Sequence, residues 1–542
     1  MPSLNWIGKE SVANHDKEVP FKLLKKIKTA SVGDDSQNLI INGDNLEGLK
    51  ALMPYYANKV KCIYIDPPYN TGNENWIYND RVNSPKIKQW LGKVVGRELE
   101  DLTRHDKWLC MMYPRLKLLR DLLKEDGIIF ISIDDNEFNN LIGICNELFG
   151  EENRFGVIIV RNNPRGRRMG TEIAIEHEYL ISYVKDVNKF KAGKLQLNDD
   201  QLAEYSEIDK NGKNYRLLGL RKRGALSKRT DRPNLHYPLF VNPNDCTVSA
   251  IEKSGYVKVI PKLSDGTDGV WRWGKEKVGR DHEQLVAKIV KRKGTGEKEW
   301  DVFQMDYAHD ENGDVGGRLF PSIWEGSAFN NETGRDQIRE LFNGPIFDYP
   351  KPVDLIKHAI LLGADKDSII LDSFAGSGTT AQAVLELNKR DGDEGKRRFI
   401  LVELEQKIAK EITVERTRRV IKDTGGDFEY CELNKPLFNE HGQIEETCDF
   451  NQFATYIYFT ETQKNIDKKE IDRNFIGEDG ITEYYLIYKE PKKNDLDKSF
   501  LKNLRKTEGK KIVYADRCLL DDATLAKYNI QFKQIPYEVK IY

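Results

Sequence analysis

Cysteine is sparse in this chain and follows no pattern. The seven, Cys62, Cys110, Cys145, Cys246, Cys431, Cys448 and Cys518, are odd in number, widely scattered and form no C-x-x-C pair. That excludes a disulfide frame and a thiolate zinc cluster, and it points to reduced thiols in a cytoplasmic protein. The eight histidines stand at no metal-ligand spacing with them, so no metal is expected. Long apolar runs are also missing: none approaches the ~18 residues of a membrane span, and Met1–Glu10 lacks a charged-then-apolar signal pattern. No membrane partner is therefore expected. Charge of one sign is absent too, with 85 Lys and Arg against 87 Asp and Glu for a net charge of -2. This leaves nucleic acid open as a partner, because electrostatic binding depends on where the positive charge lies. Finally, no G-x-G-x-x-G follows a strand, which disfavours a dinucleotide-dependent dehydrogenase.

What is present is a long chain with two strand-end motifs. At 542 residues it exceeds one core and should divide into about three or four units. Asp66-Pro67-Pro68-Tyr69 ends the apolar run Lys61–Ile65, and far downstream Asp372, Ser373, Phe374-Ala375-Gly376-Ser377-Gly378-Thr379 ends another and opens the helical stretch Ala381–Leu387. Around them strands and helices alternate: Asn38–Asp44 and Asn45–Leu52, Trp108–Leu123 and Gly127–Ile133, helix Phe138–Phe149, strands Phe155–Arg161 and Glu178–Val184, then helix Pro352–Leu362, strand Ser368–Asp372 and strand Arg398–Glu403. Such alternation predicts a mostly parallel sheet covered on both faces.

The residues themselves suggest chemistry on an amine. Asp66 supplies a carboxylate acceptor, the Pro67 carbonyl a second one held by two fixed φ angles across Pro67 and Pro68, and Tyr69 a flat ring for an extruded base. Gly376 and Gly378 allow φ > 0 and close backbone approach, and the following helix start favours a negative group. Glu403, at the next strand end, is placed like the acid that binds ribose hydroxyls in doubly wound sheets. The segment Arg104–Asp106 is expected only to order the start of the Trp108 helix.

The order of these motifs resembles the beta class of DNA amino-methyltransferases, whose Rossmann-like sheet is circularly permuted around a target-recognition insert. Asp66–Gly72, Arg104–Arg115, Ile131–Asn136, Trp271–Lys277 and Asp348–Pro352 are similar to the modification subunits of type III restriction-modification systems, and the likeness runs to Gln534–Tyr537. The resemblance implies an α/β fold with S-adenosylmethionine as cofactor. Asp44, Asp66, Lys351, Asp372, Phe374, Ala375, Gly376, Ser377, Gly378, Thr379 and Glu403 would bind it. Asp66, Pro67, Pro68 and Tyr69 would be catalytic for N6 methylation of a flipped adenine in double-stranded DNA. Cytosine-N4 methylation and a recognition subunit that directs a partner nuclease are the alternatives. Expected partners are a second copy in a homodimer and a restriction (helicase-nuclease) subunit.

The expected organisation is an arm over 1–30, core halves over 31–190 and 326–430, a target-recognition insert over 191–325 and a small α/β assembly domain over 431–542. In the insert, Arg221, Lys222, Arg223, Lys228, Arg229 and Arg232 face one acid in twelve residues. With the aromatics of Trp271–Trp273, that pattern suits phosphate contact and groove insertion. Arg161, Arg165, Arg167 and Arg168 form a second basic cluster beside the expected active edge. The last segment is read as strands Ala454–Thr460, Glu483–Tyr488 and Lys511–Tyr514.

Overall fold

The structure is a computed structural model describing residues 4–34, 36–71, 103–166, 173–196, 202–291, 298–308, 317–439, 443–466, 471–488 and 494–535. The chain forms two compact units, Lys194–Phe320 and the remainder on either side of it.

The larger unit is built on ten strands: β1 Lys22–Lys26, β2 Leu39–Asn42, β3 Val60–Ile65, β4 Leu123–Ile133, β5 Arg154–Val160, β6 Glu178–Val184, β7 Ile323–Trp324, β8 Ile369–Asp372, β9 Arg398–Glu403 and β10 Glu429–Pro436. Their order across the sheet is β1-β10-β2-β9-β8-β3-β4-β6-β5-β7. All six residues of β3 are buried, as expected of a strand covered on both faces. β8 pairs in parallel with β3 (Ile370 with Cys62, Leu371 with Ile63) and with β9 (Asp372 with Leu401). Strands from the two halves of the sequence thus sit side by side with their carboxy ends at one edge. From β8 the chain continues through helix Thr379–Asp391 to β9 on one side, and from β3 through helix Thr103–Leu122 to β4 on the other. The junction between β8 and β3 is therefore a topological switch point, where open α/β sheets leave a crevice. Among the described strands of this sheet, antiparallel pairing enters at β4–β6, β5–β6 and β1–β10.

Three expectations change. Residues 1–30 include β1, which closes one sheet edge against β10 and so is not a free arm. The boundary at 431 falls inside β10. Ala454–Thr460 is not a strand but part of helix Phe450–Thr462. A capping box, with Asp449 and Gln452 each accepting from the other's backbone N–H, starts that helix. Positions 453–459 are all buried, so no apolar period distinguishes helix from strand, and the cap decides. The helix shares a core with Leu23, Leu437, Tyr484, Ile512 and Tyr514, beside a sheet of Phe475–Asp479, Thr482–Leu486, Lys510–Ala515 and Ile530–Gln534. Among the described residues no helix is long and apolar enough to cross a membrane.

The smaller unit joins a sheet of Glu207–Ile208, Asn214–Gly219, Leu285–Lys291 and Lys298–Tyr307 to a three-stranded sheet containing Leu239–Val241. Trp271 and Trp273 are buried in its core, and the Trp271 indole donates to the Tyr237 carbonyl at 2.8 Å. These rings are committed to packing, which corrects their expected insertion into a groove.

Candidate active site

The turn after β3 is held from several directions. The Trp108 indole, fully buried, donates to the Pro68 carbonyl at 2.7 Å. Asn70 ends the turn at φ 56°, a left-handed conformation that asparagine tolerates, and its amide donates to the Arg104 carbonyl at 3.2 Å and to Glu137. His105 also meets Glu137 at 2.6 Å, so Arg104–Asp106 orders this region without reaching Asp66.

Asp66 itself sits in a network of charges. The Tyr69 hydroxyl donates to its Oδ1 at 2.8 Å, and the Lys351 ammonium lies 3.3 Å from the same atom. Lys351 Nζ also donates to Tyr69 Oη at 2.6 Å and to the two oxygens of Glu178 at 2.7 and 2.8 Å. Burial and the neighbouring Glu178 raise the Asp66 carboxyl above the ordinary range despite Lys351. Lys351, expected on the cofactor side, has its ammonium at the Asp66 turn. Its backbone carbonyl accepts from Thr379 at 3.2 Å and so ties the two turns together.

The second turn is held mainly through its backbone. Asp372 is 3% exposed and accepts from the Phe374 N–H at 3.0 Å and the Thr380 hydroxyl at 2.6 Å. Each oxygen accepts one bond that shapes the turn, and burial pushes its carboxyl up to about 7. Gly376 and Gly378 have φ of 50° and 79°, and a Cβ on Gly378 would lie 3.0 Å from the Thr413 methyl. Glu403 Oε2 accepts from the Gly376 N–H at 2.8 Å and Oε1 from Glu405 N–H at 3.0 Å, while burial pushes its carboxyl to about 7. Thr413, on a π turn over Ala409–Thr413, donates to the Gly376 carbonyl at 2.7 Å. Arg416, fully buried, donates at 2.8 Å to each of Gln382, Ser377 Oγ and Thr379 Oγ1, and its Nη2 has no hydrogen-bond partner. Burial lowers its pKa. Asp44 caps helix Asn45–Tyr56 and pairs with Arg115 at 3.2 Å.

The expected DNA-contacting residues divide by environment. Arg161 pairs with Glu176 at 2.7 Å and Arg165 approaches Glu332 at 3.6 Å, while Arg167 and Arg168 lie outside the described residues. In the smaller unit the Arg221 guanidinium donates to the Lys262 carbonyl and Arg229 pairs with Asp268 at 3.0 Å. Arg223, Lys228 and Arg232 are exposed and Lys222 is partly buried.

Glu178, Trp108 and Arg416 are absent from the sequence-derived site. Site residues of a parallel sheet stand at the carboxy ends of strands, but β6 runs antiparallel to β4, so its first residue, Glu178, reaches the same edge. Arg416 stands alone on a helix, with no motif around it.

A doubly wound sheet with a carboxylate turn and a glycine turn at its switch point places both turns where open α/β sheets hold ligands. More narrowly, the chain belongs to the DNA methylase family, which matches residues 60–415. It is 34% identical to the type III EcoPI Mod subunit of Escherichia phage P1, over 75% of this chain and 64% of that one. It is 34% identical to the type II methyltransferase M.KpnI of Klebsiella pneumoniae, over 76% and 94%. To the type III EcoP15I Mod subunit of Escherichia coli it is 31% identical, over 74% and 64%. The chain thus spans a little under two thirds of either Mod subunit and nearly all of M.KpnI.

Proposed function

We propose that this chain is an S-adenosylmethionine-dependent DNA methyltransferase that acts on the N6 amine of an adenine flipped out of duplex DNA, as the modification subunit of a restriction-modification system. The observation that carries the reading is the adjacency of Asp66 and the Phe374–Gly378 turn at the ends of neighbouring parallel strands. The residues present fit the cofactor. Two glycines at positive φ open a close approach, the start of helix Thr379–Asp391 offers N–H groups to a carboxylate, the buried Arg416 retains an unpartnered donor, and Glu403 offers oxygens to a ribose diol. When bound, the cofactor supplies an electrophilic methyl group on a sulfonium.

The chain's own residues prepare the nucleophile. An adenine amine is weakly nucleophilic because its lone pair is delocalised into the ring. The Asp66 carboxylate and the Pro67 carbonyl, as acceptors, draw that nitrogen toward tetrahedral geometry and stabilise the charge growing on it. Asp66, with a side chain 27% exposed, can be reached by a substrate, whereas Asp372 cannot. The Tyr69 ring, its hydroxyl anchored by Lys351, provides the stacking face. Adenine is favoured over cytosine because the turn carries Asp66, where the cytosine-N4 enzymes lean toward serine. The proposed assembly is a homodimer with a restriction subunit as further partner, one copy's 194–320 unit reading DNA for the other's sheet.

Incubating the protein with duplex DNA and labelled cofactor, then digesting to nucleosides for mass spectrometry, tests this. N6-methyladenine is the expected product. N4-methylcytosine alone would reassign the base, and no methylated nucleoside on varied duplexes would remove the enzyme reading.

A further inference from the structure

Glu178 has no part in the chemistry described so far, yet it is 4% exposed, with Oε2 facing the Tyr69 hydroxyl of the Asp66 turn and Oε1 bonded to Lys351 beside it. A buried carboxylate costs several kcal/mol unless it is paired, so its placement needs a reason. Its partner is Lys351, 2.7 and 2.8 Å from the two Glu178 oxygens but 3.3 Å from Asp66. The ammonium is therefore compensated chiefly by Glu178, which leaves Asp66 with lone pairs to offer an incoming amine.

The Tyr69 hydroxyl adds a second feature. Its oxygen lies 2.8 Å from Asp66 Oδ1 and 3.2 Å from Glu178 Oε2 while it accepts from Lys351 at 2.6 Å. A phenol has one proton and can serve only one carboxylate at a time. The hydroxyl is thus a bridge with two acceptors.

We propose that Glu178 is the exit for the proton the methylated amine must lose, with the Tyr69 hydroxyl as the bridge from Asp66. The proposal rests on reading Asp66 as the acceptor of the target amine. Once the new C–N bond has formed, the nitrogen is cationic. Its N–H bond breaks toward Asp66, the electron pair staying on nitrogen. Asp66 then gives that proton to the Tyr69 oxygen as the tyrosine gives its own to Glu178 Oε2. The net change is one proton moved from the nitrogen to Glu178, with Asp66 again a carboxylate, Tyr69 again a phenol and Lys351 still an ammonium. Burial, which raises the Asp66 carboxyl, helps it take the proton at the first step. Glu178 never touches the base, so it is a positioning and relay residue.

Other groups face this pair and must be counted in any pH response. Tyr64 of β3 and Asp134 beyond β4 feel Glu178, and Asp372 of β8 feels Asp66. Each stays in place in the variants that test the relay.

The test is single-turnover methyl transfer across pH in the full chain, with cofactor affinity measured alongside. Glu178→Gln should slow transfer roughly 10²-fold, the lower end for a positioned proton transfer. It should also move the acid limb of the pH–rate profile while leaving cofactor affinity within about twofold. Tyr69→Phe should lose a similar factor, and the double variant should be no worse than the slower single one, as members of one relay are non-additive. Should Glu178→Gln fail to fold, Tyr69→Phe alone reads the bridge. A Glu178→Gln protein with wild-type rate and limb, a Tyr69→Phe protein with wild-type rate, or losses that multiply in the double variant would overturn the relay. An active Asp66→Ala protein would instead overturn the acceptor reading beneath it.

Discussion

The two turns at the switch point are built by opposite means. The Asp66 turn is held by side chains, with Trp108 on a carbonyl, Asn70 on Glu137, and Lys351 and Tyr69 on Asp66 itself. The Gly376 turn is held through its backbone, whose N–H and C=O groups meet Glu403 and Thr413, with Arg416 beneath. A side-chain network can exchange partners when a substrate enters, whereas a backbone-pinned loop presents a fixed concave surface. On the proposed reading, exchange suits an amine that changes geometry and charge during reaction, and rigidity suits a cofactor. The comparison teaches that charge placement governs one turn and shape the other.

Breaking the first turn should have the largest effect. Asp66→Ala is expected to reduce methyl transfer by ~10³-fold or more, because an amine left without its acceptor loses an electrostatic contact made mainly in the transition state. Residual transfer of more than a few per cent of wild type in a labelled-cofactor assay would refute its role.

Shape on the second side is sharpened by Arg416. Arg416→Met removes three bonds that hold Ser377, Thr379 and Gln382, and should weaken cofactor binding by ~1–3 kcal/mol in calorimetry. Unchanged affinity in a folded variant would mean the turn keeps its shape without the guanidinium. Glu403 separates charge from shape. Its folded carboxyl, near 7, lies above the ordinary value of ~4. The stability linked to its proton is therefore full below about pH 4 and is lost as pH rises through about 7, and the cofactor, bound by the ionised form, should lose affinity as pH falls through 7. Glu403→Gln should flatten that dependence, and a wild-type affinity constant from pH 6 to 8 would reassign the residue.

The smallest effect is expected away from both turns. Changing the exposed Arg223, Lys228 and Arg232 together to Gln should flatten the plot of log DNA affinity against log salt by up to ~2–3 units while cofactor affinity holds. Arg221 and Arg229 are poorer probes because both are bonded within their own unit. An unchanged slope would make this a solvated loop.

Much of this could be read before the fold was known, for physical reasons. β3, β8 and β9 are buried along nearly their whole length, so each carries an apolar run (Cys62–Ile65, Ile369–Leu371 and Phe399–Val402) that stops at a polar residue on the active edge. Glu178 escaped because strand direction, which decides which end of β6 faces the site, is a property of pairing and not of composition. Ala454–Thr460 reads as a strand because burial of 453–459 erases periodicity. Trp271 and Trp273 read as groove-inserting because an alternation of aromatic and basic residues marks a segment with one face in the core as readily as a groove-binding loop.

The division of labour between the turns is tested most directly by titrating S-adenosylmethionine calorimetrically into Asp66→Ala and Glu403→Ala proteins side by side. The account predicts that Asp66→Ala, though inactive, binds within roughly tenfold of wild type, since its carboxylate serves mainly the amine, while Glu403→Ala loses ~1–3 kcal/mol through missing charged hydrogen bonds. If Asp66→Ala lost as much affinity as Glu403→Ala, the two turns would form one cofactor site and the account would be wrong.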